Sequence, residues 1–95
     1  MERQPATYIM ASQRNGTLHV GVTSNLLARV AGHRAGVGGF TARYGCRLLV
    51  QLELHASMEA AIGREKQIKG GSRVRKLALV EKGNPQWLDL WDALL

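Results

Sequence analysis

One cysteine, Cys46, in a chain of 95 residues excludes an internal disulfide and a cysteine-based zinc cluster, and it fits a reducing compartment. Only two prolines, with 21% charged and 45% hydrophobic residues, exclude a disordered or low-complexity chain. No apolar run approaches the roughly 18 residues of a membrane span. The start, Met1-Glu2-Arg3-Gln4-Pro5, has no apolar stretch behind it, so no membrane association and a cytoplasmic location are expected. The length leaves room for one domain, residues 1–95, and excludes a two-domain enzyme. Negative charge is missing from the first half. Between Glu2 and Glu53 there is no acidic residue, yet Arg3, Arg14, Arg29, Arg34, Arg43 and Arg47 lie there. A second cluster, Arg64, Lys66, Lys69, Arg73, Arg75 and Lys76, is interrupted only by Glu65, and the last fifteen residues carry Glu81, Asp89 and Asp92. A net charge of +6 placed so unevenly points to DNA or RNA as partner, although any single lysine also suits a solvated, solubilising surface.

Thr7–Ala11 and Thr17–Val22 flank Asn15-Gly16, a strong hairpin signal between two β-prone runs. In the second run Leu18, Val20 and Val22 alternate with Thr17, His19 and Gly21, which places His19 opposite the aliphatic stripe. Thr23 or Ser24 is expected to cap a helix over 25–33, with Leu26, Leu27, Val30 and Ala31 as its apolar face and Arg29 and His33 on the other side. The glycine-rich segment Ala35–Thr41 reads as a mobile, cation-flanked loop. It lacks Gly-Lys-Ser/Thr and follows a helix, so it is not a phosphate-gripping P-loop. Residues 47–54 alternate again, with Leu48, Val50, Leu52 and Leu54 on one face of a third strand. Ser57 caps a helix to Lys69, Gly70-Gly71 ends it, and Ser72 caps another to Lys82. Asn84-Pro85 opens a last helix carrying Trp87, Leu90, Trp91 and Leu94, all expected in the core. The fold class is thus α/β, a small, mainly antiparallel three-stranded sheet flanked by helices in β-β-α-β-α order, with extra C-terminal helices.

One residue breaks the pattern of the helix after Ser57. At roughly 100° per residue, Glu65 falls amid Met58, Ala61, Ile62 and Ile68 on the apolar face. An unpaired buried carboxylate costs several kcal/mol or takes up a proton, so it needs a cation, a hydrogen-bond network or a metal. An ion pair with an arginine from the first half and a functional role both satisfy that requirement.

Thr7-Tyr8-Ile9, then His19-Val20-Gly21, Arg29, His33 and Ala61-Ile-Gly-Arg-Glu65-Lys-Gln-Ile-Lys-Gly70, in that order and spacing, resemble the GIY-YIG nuclease superfamily over nearly the whole chain. The resemblance is greatest to its small stand-alone, excinuclease-like bacterial domains. There Phe40-Thr41-x-x-Tyr44-Gly45 and Asn84-Pro85-x-Trp87 are also typical. It implies an endonuclease hydrolysing phosphodiester bonds in DNA, with RNA left open, in repair or recombination. By the same resemblance Tyr8, His19, Arg29 and Glu65 are catalytic, Gly21 supplies backbone at the site, and Glu65 binds one Mg2+ or Mn2+. Magnesium needs only one or two carboxylates beside water and phosphate, so a lone glutamate suffices. Arg29 would stabilise charge on the attacked phosphate, and Tyr8 would position the water or take its proton.

Two positions depart from the superfamily pattern. Ala6-Thr7-Tyr8 lacks the glycine and isoleucine of the first motif but keeps its tyrosine. His19 stands where the second motif usually has tyrosine; an imidazole with a pKa near 6.5 is a competent base at neutral pH, so retained activity is expected. His33 matches a position often held by histidine and is a catalytic or phosphate-contact candidate, while a helix-end histidine facing the dipole accounts for it equally well. Arg34, Arg43, Lys66, Lys69 and Arg73 are the expected nucleic-acid contacts. A domain this small grips little nucleic acid, so dimerisation or the Gly36–Gly39 loop is expected to add contacts; the expected partners besides nucleic acid are a second copy or another protein. Two competing readings are a non-catalytic nucleic-acid-binding module and a partner-dependent protein docked through its acidic last helix.

Overall fold

The computed structural model describes residues 4–36 and 39–95. Its described elements run β1 (Ala6–Ala11), β2 (Leu18–Thr23), α1 (Leu26–Arg34), α2 (Gly39–Tyr44), β3 (Leu48–Leu54), α3 (Met58–Lys69), α4 (Arg73–Gly83) and α5 (Trp91–Leu94). The sheet order is β2-β1-β3 and both pairings are antiparallel, as the expected α/β class requires. β1 lies in the middle and is buried along its whole length. The hairpin is longer than a two-residue turn. Asn15 takes a left-handed φ of 57°, Gly16 N–H donates to the Gln13 carbonyl, and Ser12 Oγ accepts from Thr17 N. A Cβ on Gly16 would meet Ser12 Oγ at 2.3 Å, so this glycine is required by close packing.

β3 departs from simple alternation. Ile9 pairs with Gln51 but Met10 pairs with Leu49, so Val50 is an extra residue in the register. Such a bulge switches which face later side chains occupy. The expected single stripe of Leu48, Val50, Leu52 and Leu54 is therefore divided. Leu48 and Val50 join Ile9, Val20, Ile68 and Val80 on one face. Leu49 and Leu52 join Tyr8, Met10, Leu26 and Val30 on the other, and Leu54 is exposed. Each fully buried aliphatic contributes about 1.5–3 kcal/mol relative to leaving it in water.

The cap of α1 is Asn25, whose Oδ1 accepts from Ala28 N; Thr23 Oγ1 instead accepts from Asn25 N, one step earlier. Ser57 and Ser72 cap α3 and α4 as expected. The expected loop through Thr41 is shortened by α2, which begins at Gly39 and is followed by Gly45 in a left-handed conformation that favours glycine. Positions 37–38 of that loop, like Arg3 of the basic half, lie outside the described residues.

The expected continuous C-terminal helix is also corrected. Helix begins only at Trp91, because the Asn84 side chain holds a turn: its Nδ2 donates to the Val50 and Leu88 carbonyls and its Oδ1 accepts from Leu88 N. Trp87 takes a φ of 56° there. The two tryptophans consequently pack in different clusters, Trp87 with Ile68 and Val80, Trp91 with Leu26 and Val30. Leu90 N donates to Leu49 O and Asp89 Oδ1 accepts from Leu49 N, so the tail covers that part of the β3 edge.

Candidate active site

Alternation along β1 and β2 brings Tyr8 and Gly21 face to face as a cross-strand pair, with His19 opposite Met10 on the same side. A Cβ at position 21 would lie 2.4 Å from both Cζ and Oη of Tyr8. Only glycine leaves room for the phenol. The side chain of Tyr8 is fully buried, and its hydroxyl lies 2.8 Å from Nε2 of His33, delivered from the last turn of α1. The two histidine rings meet edge to face with centroids 5.2 Å apart, and Tyr8 lies 6.2 Å from His19 and 5.6 Å from His33.

Burial raises the Tyr8 pKa, while the charge of Arg29 and a hydrogen bond from its guanidinium pull it back and Glu65 pushes it up. Burial, reinforced by His33, Lys69 and Arg29, lowers His19 to about 4. Burial and then Arg29 also lower His33. Two neutral imidazoles at neutral pH result, and the value near 6.5 expected for His19 is replaced by about 4 because this imidazole is desolvated among cations. A neutral His33 can accept the phenol proton; a charged one could not.

Glu65 is mostly buried on α3 and pairs with Lys69 at 3.6 Å, one turn along the same helix. The carboxylate is thus answered by a lysine at i+4, where an arginine from the first half was one of the two expectations. Ile62, expected on the same apolar face, is 39% exposed. Tyr8, His19, His33, Arg29, Glu65 and Lys69 converge; the other expected nucleic-acid contacts do not join them. Arg34 is paired with Asp89 and lies 5.1 Å over the Trp91 ring. Arg73 donates to the Asn15 and Gly16 carbonyls at 2.7 and 2.8 Å, holding the hairpin turn. Arg43 lies over Tyr44, and Lys66 is exposed. Cys46 is fully buried, with Sγ 3.5 Å from the Thr17 carbonyl.

Sequence reasoning missed Asp89, whose carboxylate joins the end of α1 to β3 and the tail by accepting from Arg34, Leu49 N and Trp91 N. Its signal was an acidic residue amid apolar neighbours just after Asn84-Pro85-x-Trp87. Among the described residues no helix is long and apolar enough to cross a membrane.

The GIY-YIG catalytic domain family matches residues 4–78, a span that contains every converging side chain. UPF0213 protein SH2523 of Staphylococcus haemolyticus is 38% identical over 76 residues, which cover 79% of this chain and 92% of that protein. No solved structure matches the chain. With the family matched over most of its length and a small relative 38% identical, this protein belongs to the GIY-YIG family of nuclease-type catalytic domains.

Proposed function

We propose that this chain is a metal-dependent endonuclease that hydrolyses phosphodiester bonds in DNA, acting in repair or recombination. The observation that carries the reading is the 2.8 Å contact between the Tyr8 hydroxyl and a neutral His33, with Arg29 on the same phenol. Burial disfavours a free phenolate, so the phenol works as a base only if its proton leaves as another arrives. In the proposed reaction a water oxygen bonds to phosphorus as the bond to the leaving sugar oxygen breaks. The water proton passes to Tyr8 Oη, the phenol proton passes to His33 Nε2, and solvent protonates the leaving oxygen. Arg29 donates to the attacked phosphate and compensates the charge that grows there. His19, neutral above about 4, borders the water and orients it through a ring nitrogen.

Glu65 is the residue that would hold the metal. Among the described residues no group of three or more His, Cys, Asp or Glu forms a multi-ligand centre. A single carboxylate suits a hard cation that keeps its waters and shares a phosphate oxygen. When bound, Mg2+ or Mn2+ supplies Lewis-acid polarisation of the phosphoryl group. The test compares the parent with Glu65→Gln on linear, nicked and branched DNA. The variant is expected to lose magnesium-dependent cleavage while binding DNA in chelator as the parent does; undiminished cleavage would refute the metal assignment.

A further inference from the structure

Two cavities of about 190 and 460 Å3 meet at Arg64 and Leu79, which line both. The smaller lies between α3 and α4 beside Ile68, Gly71, Arg75 and Lys76. The larger runs along β3 past Gln51, Leu52 and Val80 towards Lys82 and Leu90. Together they form one groove along α3, α4 and β3, outside the candidate active site. Glu65 and Lys69 belong to the candidate site, whereas Arg64, Gln67 and Ile68 line the groove, so the two use neighbouring faces of α3.

Three features of this groove suit one ligand chemistry. First, Arg64 is held rigid at the junction. Its Nε and Nη2 donate to the two Glu53 oxygens at 2.8 and 3.0 Å, and its Nη1 donates to Gln67 Oε1 at 2.7 Å. A guanidinium fixed in its own plane leaves its faces for a flat ring to stack on. Second, among the described residues the side chains of Arg75 and Lys76 have no hydrogen-bond or ion-pair partner, so two cations at one end lack an anion. Third, the walls between the cations are aliphatic, and Gln51 contributes a buried Oε1 that accepts no hydrogen bond among the described residues. Duplex DNA shows a groove of this size mainly phosphate and sugar; an unpaired strand also exposes base faces and base donors.

We propose that this groove binds unpaired nucleotides of the substrate strand, a base stacked on the Arg64 guanidinium and the adjoining phosphates on Arg75 and Lys76. The proposal rests on nucleic acid being the substrate, and it gives the domain a preference for DNA with a single-stranded segment beside the cleavage point.

The test needs no cleavage. A short fluorescein-labelled single-stranded DNA oligonucleotide, its abasic counterpart and a duplex of the same length are titrated in chelator against the parent, R64K and R75Q/K76Q, with anisotropy as readout. The parent is expected to bind the base-bearing strand more tightly than the abasic strand or the duplex. R64K, which keeps the charge but loses the plane, is expected to weaken the base-bearing strand by about fivefold or more, the lower end for a stacked base, and to leave the abasic strand unchanged. R75Q/K76Q should reduce the slope of log affinity against log salt by about 0.7 per charge removed. Equal binding of base-bearing and abasic strands by the parent, or parental binding by R75Q/K76Q, would overturn the proposal. The double variant changes only cations without partners, so it decides the matter even if R64K folds poorly. If the oligonucleotide binds as expected but no DNA is ever cleaved, the nuclease reading fails and the groove stands; if DNA is cleaved but both variants bind like the parent, the groove fails alone.

Discussion

Two polar clusters adjoin α3, and they differ in how charge is answered. Between β3 and α3, Glu53 meets Arg64 through two hydrogen bonds. The arginine holds the carboxyl below its usual range and its own pKa is raised in return. Between β1, β2 and α1, Arg29 meets a phenol and two imidazoles, and burial keeps all three in their uncharged forms at neutral pH. Both clusters are rich in hydrogen-bonding groups and partly buried. What separates them is that one neutralises its cation and the other leaves positive charge beside neutral bases. Such a place favours an arriving anion, and a phosphodiester supplies one.

The largest effect should come from removing that uncompensated cation. Arg29→Ala is expected to lower the single-turnover cleavage rate by about 10²–10³, the range for one lost transition-state donor, whereas Arg14→Ala, on the exposed hairpin turn, should change it little. Equal losses would make Arg29 one more backbone contact and erase the contrast between the clusters. Next comes the packing that shapes the site. Gly21→Ala drives a methyl to 2.4 Å from the Tyr8 ring and hydroxyl, which should cost about 1–3 kcal/mol in urea unfolding and displace the phenol from His33. An unchanged midpoint with parental cleavage would mean that the ring moves aside freely.

Asn84→Ala sharpens the comparison from the structural side. It leaves the Val50 carbonyl and the Leu88 backbone without their partner and should cost about 1–3 kcal/mol, yet leave the pH profile of cleavage unchanged. The smallest effect is a pH dependence of stability. His19 takes up a proton near 6.5 when unfolded but only near 4 when folded, so stability is complete above about 6.5 and is lost as pH falls towards about 4. The contribution of His19 to the slope should stay below about 1.4 kcal/mol per pH unit, because His19 is partly exposed, and His19→Gln should reduce the slope to the part due to His33. The same shift predicts no rise in cleavage rate near pH 6.5 from this imidazole. A limb there that disappears in His19→Ala would contradict the shift.

The elements that read correctly from sequence are those whose signals are local. Asn15-Gly16, Ser57 and Ser72 mark chain reversals and helix starts through their own backbone chemistry, so the hairpin, α3 and α4 were legible within a residue or so. The errors lie where a distant residue decides. Val50 bulges within the pairing of β3 with β1, and no pattern within residues 47–54 announces it. Trp87 and Trp91 have helical spacing, but Asn84 reaches the Val50 carbonyl and turns the chain before a helix can form. At the candidate site, the family resemblance singled out Tyr8, Arg29 and Glu65, which the fold brings near one another, and alternation placed His19 off the aliphatic stripe. The partners were not: the imidazole on Tyr8 comes from 25 residues away, and the ion pair that binds Arg34 closes over 55.

The central claim is that the Tyr8 hydroxyl, relaying a proton to His33, activates the attacking water. Tyr8→Phe removes one oxygen and keeps the ring that packs on Gly21 and Leu26. Measured under single-turnover conditions with magnesium, the folded variant should bind DNA as the parent does and cleave it about 10²-fold more slowly. Cleavage by Tyr8→Phe at the parental rate, with the parental pH profile, would contradict the account.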